Sequence, residues 1–254
     1  MRRRELVAGL GCAAAAWPLT GRAQQVGKIY RIGILEPIPA ARNAVNFNAL
    51  LKGLRDLGYF EGRNLVIEYR SADGRAERFP DLASELIGLK VDLIVARGTP
   101  ATTAAKTAGT IPVVMATMGG PGAIVASFAN PGGNITGMIT FSTELTAKRV
   151  IGADGLTQMY QQTIVDFAAR NRLPAVYPAR EFVEAGGLIA YAVNYPDLYF
   201  RLASFVDKIF KGVKPGELPV EQPTKSELVI DTKGLSRSAS KGHFWGQDRS
   251  ARAC

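Results

Sequence analysis

The sequence predicts an α/β fold built on a doubly wound parallel sheet, and three observations carry that expectation. Short, continuous apolar runs rich in Val and Ile recur along the chain, Val91–Val95 and Ile111–Met115 being the plainest. Such runs are what strands look like when both faces of a sheet are covered. Amphipathic helical segments alternate with these runs four times between Ile29 and Phe141, the pattern of successive βα units. Between the two plainest runs stands Gly98-Thr99-Pro100, with Thr99 at the expected N-cap and Pro100 at the first helical position. A right-handed crossover would then set free N–H groups at the carboxyl edge of a strand, where open α/β sheets bind ligands. An ordinary well-capped βα turn has the same pattern.

Taken in order, Ile29–Leu35 reads as the first strand and Glu36–Ala41 as a Pro-punctuated loop. Asn46–Leu57 is a helix with Phe47, Leu50, Leu51, Leu54 and Leu57 on one face, ended by Gly58. Leu65–Tyr69 is the second strand, and Ala76–Leu89 a helix with Phe79, Leu82, Leu86 and Leu89 in register. The unit Val91–Thr117 follows, then a short helical piece at Ala123–Phe128, a turn at Asn130–Asn134 and a fifth strand at Ile135–Phe141. Thr143–Val150 begins another helix. There the alternation breaks, because Ile151–Gly155 follows with no strand between. Helices are expected at Leu156–Asn171 and Tyr199–Phe210, and strands at Ala175–Tyr177, Leu188–Val193 and Leu228–Ile230. Pro215–Pro223 is an extended connection, and after Asp231 the chain turns polar, basic and aperiodic, as disordered tails are.

The formal charge of +9 invites a nucleic-acid reading, but its distribution argues otherwise. Residues 1–23 carry four Arg against one Glu, and residues 231–254 carry five Lys/Arg against two Asp. The excess is at the ends, and no core element bears a basic stripe with interleaved aromatics. Cys12, Cys254 and His243 are the only Cys and His residues. The central chain therefore lacks a Cys nucleophile, a His base, a Ser–His triad and any His/Cys metal site. No metal or cofactor is expected.

Arg2–Arg4, the apolar stretch Leu6–Leu19 and Gly21-Arg22-Ala23 have the layout of a cleaved secretory signal over residues 1–23. The apolar stretch is shorter than the about 20 residues a membrane span needs.

The order of motifs resembles the substrate-binding proteins of ABC transporters, in the family with tryptophan- and tyrosine-binding members. The stretches that carry it are RIGIL (Arg31–Leu35), GLRDLGYFEGRNLVIEYR (Gly53–Arg70), VDLIVARGTPATTAA (Val91–Ala105), IPVVMAT (Ile111–Thr117) and PGGNITG (Pro131–Gly137). GGLIAYAVNYPDLYFRLASFVDKIFKG (Gly186–Gly212) and LPVEQPTKSELVI (Leu218–Ile230) complete the series. The resemblance implies a periplasmic-binding-protein-like fold of two doubly wound parallel-sheet lobes, a small-molecule ligand gripped between them, and a permease partner in the inner membrane. It implies a periplasmic location, no catalysis and no nucleic-acid partner. At cleft-facing strand ends it points to Glu36, Pro37, Thr99, Pro100, Ala101, Thr117 and Met118, and in the second lobe to Asp154 and Tyr191, as ligand contacts.

Departures from the family pattern are informative. Gly119-Gly120-Pro121-Gly122 stands where an Asp-Pro step is usual, and the βα units that open the second lobe are missing where Val150 meets Ile151. The organisation expected is a first lobe over 28–142 joined by 196–215, a remnant of the second over 151–195, a hinge or return segment at 216–230 and a basic tail at 231–254. An α/β enzyme is the competing reading, against which stand the absence of a GxGxxG after the first strand and of a Walker loop. A degenerate copy that no longer binds and a regulatory ligand-binding domain are further alternatives.

Overall fold

The structure, a computed structural model, describes residues 28–107, 109–117, 124–140, 157–171, 173 and 175–232. The expected signal segment, the helix at Thr143–Val150, most of the tail, and the candidate contacts Met118 and Asp154 lie outside the described residues.

Five strands form the main sheet: β1 (Tyr30–Glu36), β2 (Leu65–Ser71), β3 (Leu93–Arg97), β4 (Val113–Thr117) and β5 (Ile135–Ile139). Their order is β2-β1-β3-β4-β5 and every neighbouring pair is parallel. The helices α1 (Ala44–Asp56), α2 (Phe79–Gly88) and α3 (Thr99–Lys106) connect the first four. Strand pleating divides the apolar side chains between two cores. Ile32, Ile34, Leu93 and Val95 face one cluster with Leu50 and Leu54 of α1, whereas Leu35, Ile94, Val113 and Met115 join Phe79, Leu82 and Leu86 of α2 in the other. A sheet covered on both faces requires the continuous apolar runs seen in the sequence.

The chain leaves β1 toward β2 on one side and returns to β3 on the other. Loops after β1 and β3 therefore diverge at their carboxyl ends, which makes a crevice there, the topological switch point.

A second sheet has the order β6-β7-β8, from β6 (Val176–Tyr177), β7 (Ile189–Val193) and β8 (Ser226–Ile230). The β6–β7 pair is parallel and β7–β8 antiparallel. Around it lie α4 (Gln161–Arg170) and the short α5 (Arg180–Glu184). Then α6 (Tyr195–Phe210) crosses back to pack along α1, adding the buried Leu202, Phe205 and Val206 to the first core. The following segment runs beside β5, with Glu221 bridged to Met138.

Local differences from the sequence reading have physical causes. Thr99 is not the N-cap of α3: Gly98 is, at φ 84°, with Thr99 and Pro100 as the first two helical residues. A left-handed cap suits glycine, which has no Cβ to clash. Helix α6 starts at Tyr195 rather than Tyr199, because the Asn194 side chain accepts from the backbone N–H of Asp197 at 2.8 Å. The expected helix at Ala123–Phe128 is turn and bend over its described part, residues 124–128. Ala76–Arg78 and Thr157–Tyr160 are 3₁₀ turns leading into α2 and α4 rather than their first α-helical turns. The helix at Arg180–Glu184 has too few residues to display a helical period, and the sequence reading missed it.

Candidate functional site

At the switch point β1 ends in Glu36 and β3 in Arg97. The strands pair in parallel with Leu35 opposite Ala96, so their last side chains emerge side by side at the same edge. Both are charged and almost fully buried, Glu36 at 0% and Arg97 at 3% exposure. Arg97 Nε lies 2.9 Å from Glu36 Oε2 as an ion pair. Isolated, either charge would be very costly in such a place, and pairing is the usual resolution.

Polar groups surround the pair. The hydroxyl of Tyr199, on α6, donates to Glu36 Oε1. Tyr69 of β2 donates its hydroxyl proton to the carbonyl of Ile38 at 2.9 Å and accepts from Asn43 Nδ2 at 3.3 Å. Asn46 Nδ2 in turn donates to Asn43 Oδ1 at 3.1 Å. Arg97 Nη2 donates to Gln158 Oε1 at 2.7 Å, while Nη1, also buried, has no hydrogen-bond partner among the described residues.

Burial dominates the acid–base behaviour here. It pushes the Glu36 carboxyl above the ordinary glutamate range, against the pull of the Arg97 charge and the Tyr199 hydroxyl. For Arg97 burial is the largest influence and acts downward, but Glu36 together with Tyr199, Tyr195 and Tyr69 more than offsets it, and the guanidinium stays charged. Tyr199 is raised well above its normal range by burial and by Glu36, so it remains a proton donor.

The structure places the sequence-predicted contacts unevenly. Glu36 stands at the switch point, but its carboxylate is engaged by Arg97 and Tyr199 rather than open to a cleft. Pro37 is buried, and its carbonyl accepts from Gly74 N–H at 2.9 Å. Thr99 and Pro100 are half-buried at the start of α3 along the same edge, whereas the Ala101 side chain is wholly within the core. Thr117 is the last residue of β4. Tyr191 lies on β7 of the second sheet, opposite Leu228, at 37% exposure. Arg97, Gln158 and Tyr199 were missed. A charged residue closing an apolar strand run was a usable signal for Arg97; no local signal marks the other two.

Among the described residues there is no cluster of three or more His, Cys, Asp or Glu that could hold a metal ion. None of their helices is long and apolar enough to cross a membrane.

A doubly wound sheet, a second smaller sheet and a charged, helix-flanked switch point define a protein of the periplasmic-binding-protein-like class. Solved structures share this fold. A conserved domain protein from Vibrio cholerae superposes with a TM-score of 0.71 at 22% identity, covering 84% of this chain and 95% of that one. A domain from Streptococcus pneumonia in complex with L-Trp superposes at 0.70 and 18% identity, covering 83% and 94%. A family model described as ABC transporter substrate binding protein matches residues 31–151 and 142–239. A tyrosine-binding protein of Clostridioides difficile is 36% identical across 73% of this chain and 74% of its own length. The chain belongs to the ABC transporter substrate-binding protein family.

Proposed function

We propose that this protein captures a small solute, an amino acid or related carboxylate, between two lobes and delivers it to an ABC permease in the inner membrane for import. It would work in the periplasm, reached through the N-terminal signal at residues 1–23. The observation that carries this reading is the switch point, where a buried guanidinium and the N-terminus of α3 share one edge. Both favour a negatively charged group. The similarity to a tyrosine-binding protein and to an L-Trp-bound domain supports an amino acid over a sugar. Thr99, Pro100 and Thr117 would contact the ligand from the first lobe, and Asp154 and Tyr191 from the second. Affinity would come from contacts made only when the lobes close, a population shift toward the closed state. The second sheet has three strands among the described residues.

A thermal-shift screen of the purified chain against amino acids and aromatic carboxylates tests this. A ligand at 100 times its dissociation constant adds about 2.7 kcal/mol of stability. A selective shift by one class of carboxylate is the expected result. A cooperative melt that no amino acid or carboxylate moves would refute the reading.

A further inference from the structure

The 3₁₀ turn Thr157–Tyr160 sits on the carboxyl edge of the first sheet, over the switch point. Four contacts hold it there. Gln158 Oε1 accepts from Arg97 Nη2 at 2.7 Å, and the Gln158 carbonyl accepts from Arg42 Nη2 at 3.4 Å. Met159 lies against Gly74, its Cγ 3.1 Å from where a Cβ on that glycine would stand, and its sulfur accepts from Arg42 Nη1 at 3.4 Å. The Gln158 side chain is buried, at 5% exposure. A segment leading into the second lobe thus fills the crevice of the first.

The guanidinium is only partly satisfied by this arrangement. Its Nε side faces Glu36, and its Nη2 is taken by a single amide oxygen. Nη1 is buried with no hydrogen-bond partner among the described residues. A guanidinium presents Nη1 and Nη2 as a planar fork that fits the two oxygens of a carboxylate, and an amide oxygen can fill only one prong. An unfilled buried donor costs free energy, so the site is better matched to a carboxylate than to the carboxamide now in it.

Resting on the solute-binding reading above, we propose that Arg97 is the seat for the ligand's carboxylate and that Gln158 is a built-in competitor occupying that seat. The turn stands in for the ligand in the unliganded chain, shielding the Glu36–Arg97 pair from water. A ligand carboxylate would displace the carboxamide, engage both Nη1 and Nη2, and release the turn. Affinity in the native chain is then the difference between two occupants of one site rather than the full strength of the ligand contact.

Two variants of the full chain test this. Gln158→Glu presents a carboxylate to Arg97 from within the chain and needs no external ligand. Its melting temperature should exceed the wild type's at pH 7. A melting temperature at or below the wild type's at pH 7 overturns the carboxylate seat. Gln158→Ala removes the competitor. In isothermal titration with L-tyrosine it should bind about 10-fold more tightly than the wild type, about 1.4 kcal/mol. L-Tyrosinamide, which lacks the carboxylate, should show no such gain. Equal affinity of wild type and variant for L-tyrosine, or an equal gain for the amide, overturns the competition. A stabilised Gln158→Glu chain with no response of either titrated chain to L-tyrosine keeps the carboxylate seat and counts against the amino-acid reading instead.

Discussion

The hydroxyl of Tyr199 donates to the carboxylate of Glu36, tying the last long helix to the end of the first strand across a separation of 163 residues. Tyr199 is 1% exposed and lies within the first core, so its ring packs while its tip reaches the ion pair. Removing only the hydroxyl separates the two roles. Tyr199→Phe should cost about 1–3 kcal/mol, because a buried carboxylate oxygen loses its donor while the ring still fills its space. Urea denaturation at pH 7 measures it, and an unchanged midpoint would show that Glu36 finds another partner.

The Glu36–Arg97 pair should behave as a unit. Glu36→Met or Arg97→Met alone leaves one buried charge uncompensated, and each should lower stability by about 3–5 kcal/mol. The double variant leaves no charge and keeps apolar volume, so it should lose markedly less than the two single losses combined. Denaturation of all four chains gives the coupling energy. Additive losses would mean that the two charges are stabilised independently by their surroundings.

Helix packing between α1 and α6 depends on the absence of a side chain at Gly53. A Cβ there would stand 2.6 Å from the Phe200 carbonyl oxygen and 2.8 Å from Ala203 Cβ, both on α6. Gly53→Ala should therefore force the helices apart and cost about 1–3 kcal/mol, despite alanine's better helix propensity. Gly88, at the end of α2, has nothing within 4 Å of its would-be Cβ. Gly88→Ala should be neutral or stabilising by up to about 1 kcal/mol. Thermal melts of the two variants should move in opposite directions, or Gly53 alone should move.

Asp73 makes stability sensitive to acid. Its carboxylate accepts from Ser71 Oγ at 2.7 Å and from Arg78 Nη1 at 2.6 Å, and these bonds hold its pKa below the ordinary aspartate range in the folded chain. A carboxylate with a depressed folded pKa contributes stability above its unfolded pKa and loses it as the pH falls through the folded value. The side chain is 46% exposed, so solvent screening keeps the effect below about 1 kcal/mol. Asp73→Asn, which still tolerates the left-handed backbone at φ 51°, should be slightly less stable than wild type at pH 7. The gap should close as the pH is lowered past the folded pKa. A gap that persists in acid would assign the loss to the turn geometry instead.

Much of the five-stranded sheet and its helices was legible in the sequence because its signals are local and repeated. Val91–Val95 and Ile111–Met115 read as buried strands because they are short, rich in Val and Ile and set off by glycine and proline, and β3 and β4 lie at Leu93–Arg97 and Val113–Thr117. Boundaries were read less well where a backbone conformation rather than a pattern set them. Gly98 took the cap from Thr99 through its positive φ, and Asn194 started α6 a turn early through one side-chain hydrogen bond.

The candidate site divides along the same line. Glu36 was picked out because it follows a strand, and strand ends at one edge of a parallel sheet come together whatever their side chains. What Glu36 does there was out of reach. Its partners come from β3 and from α6, Arg97 is met in turn by Gln158 from the turn before α4, and no spacing in the chain encodes that they meet. Strand and helix follow from periodicities of a few residues, which the order of amino acids displays directly. The pairing of Arg97 with Glu36, and its covering by Tyr199 and Gln158, arises only when closure of the chain removes water and leaves each buried polar group to find a partner within reach.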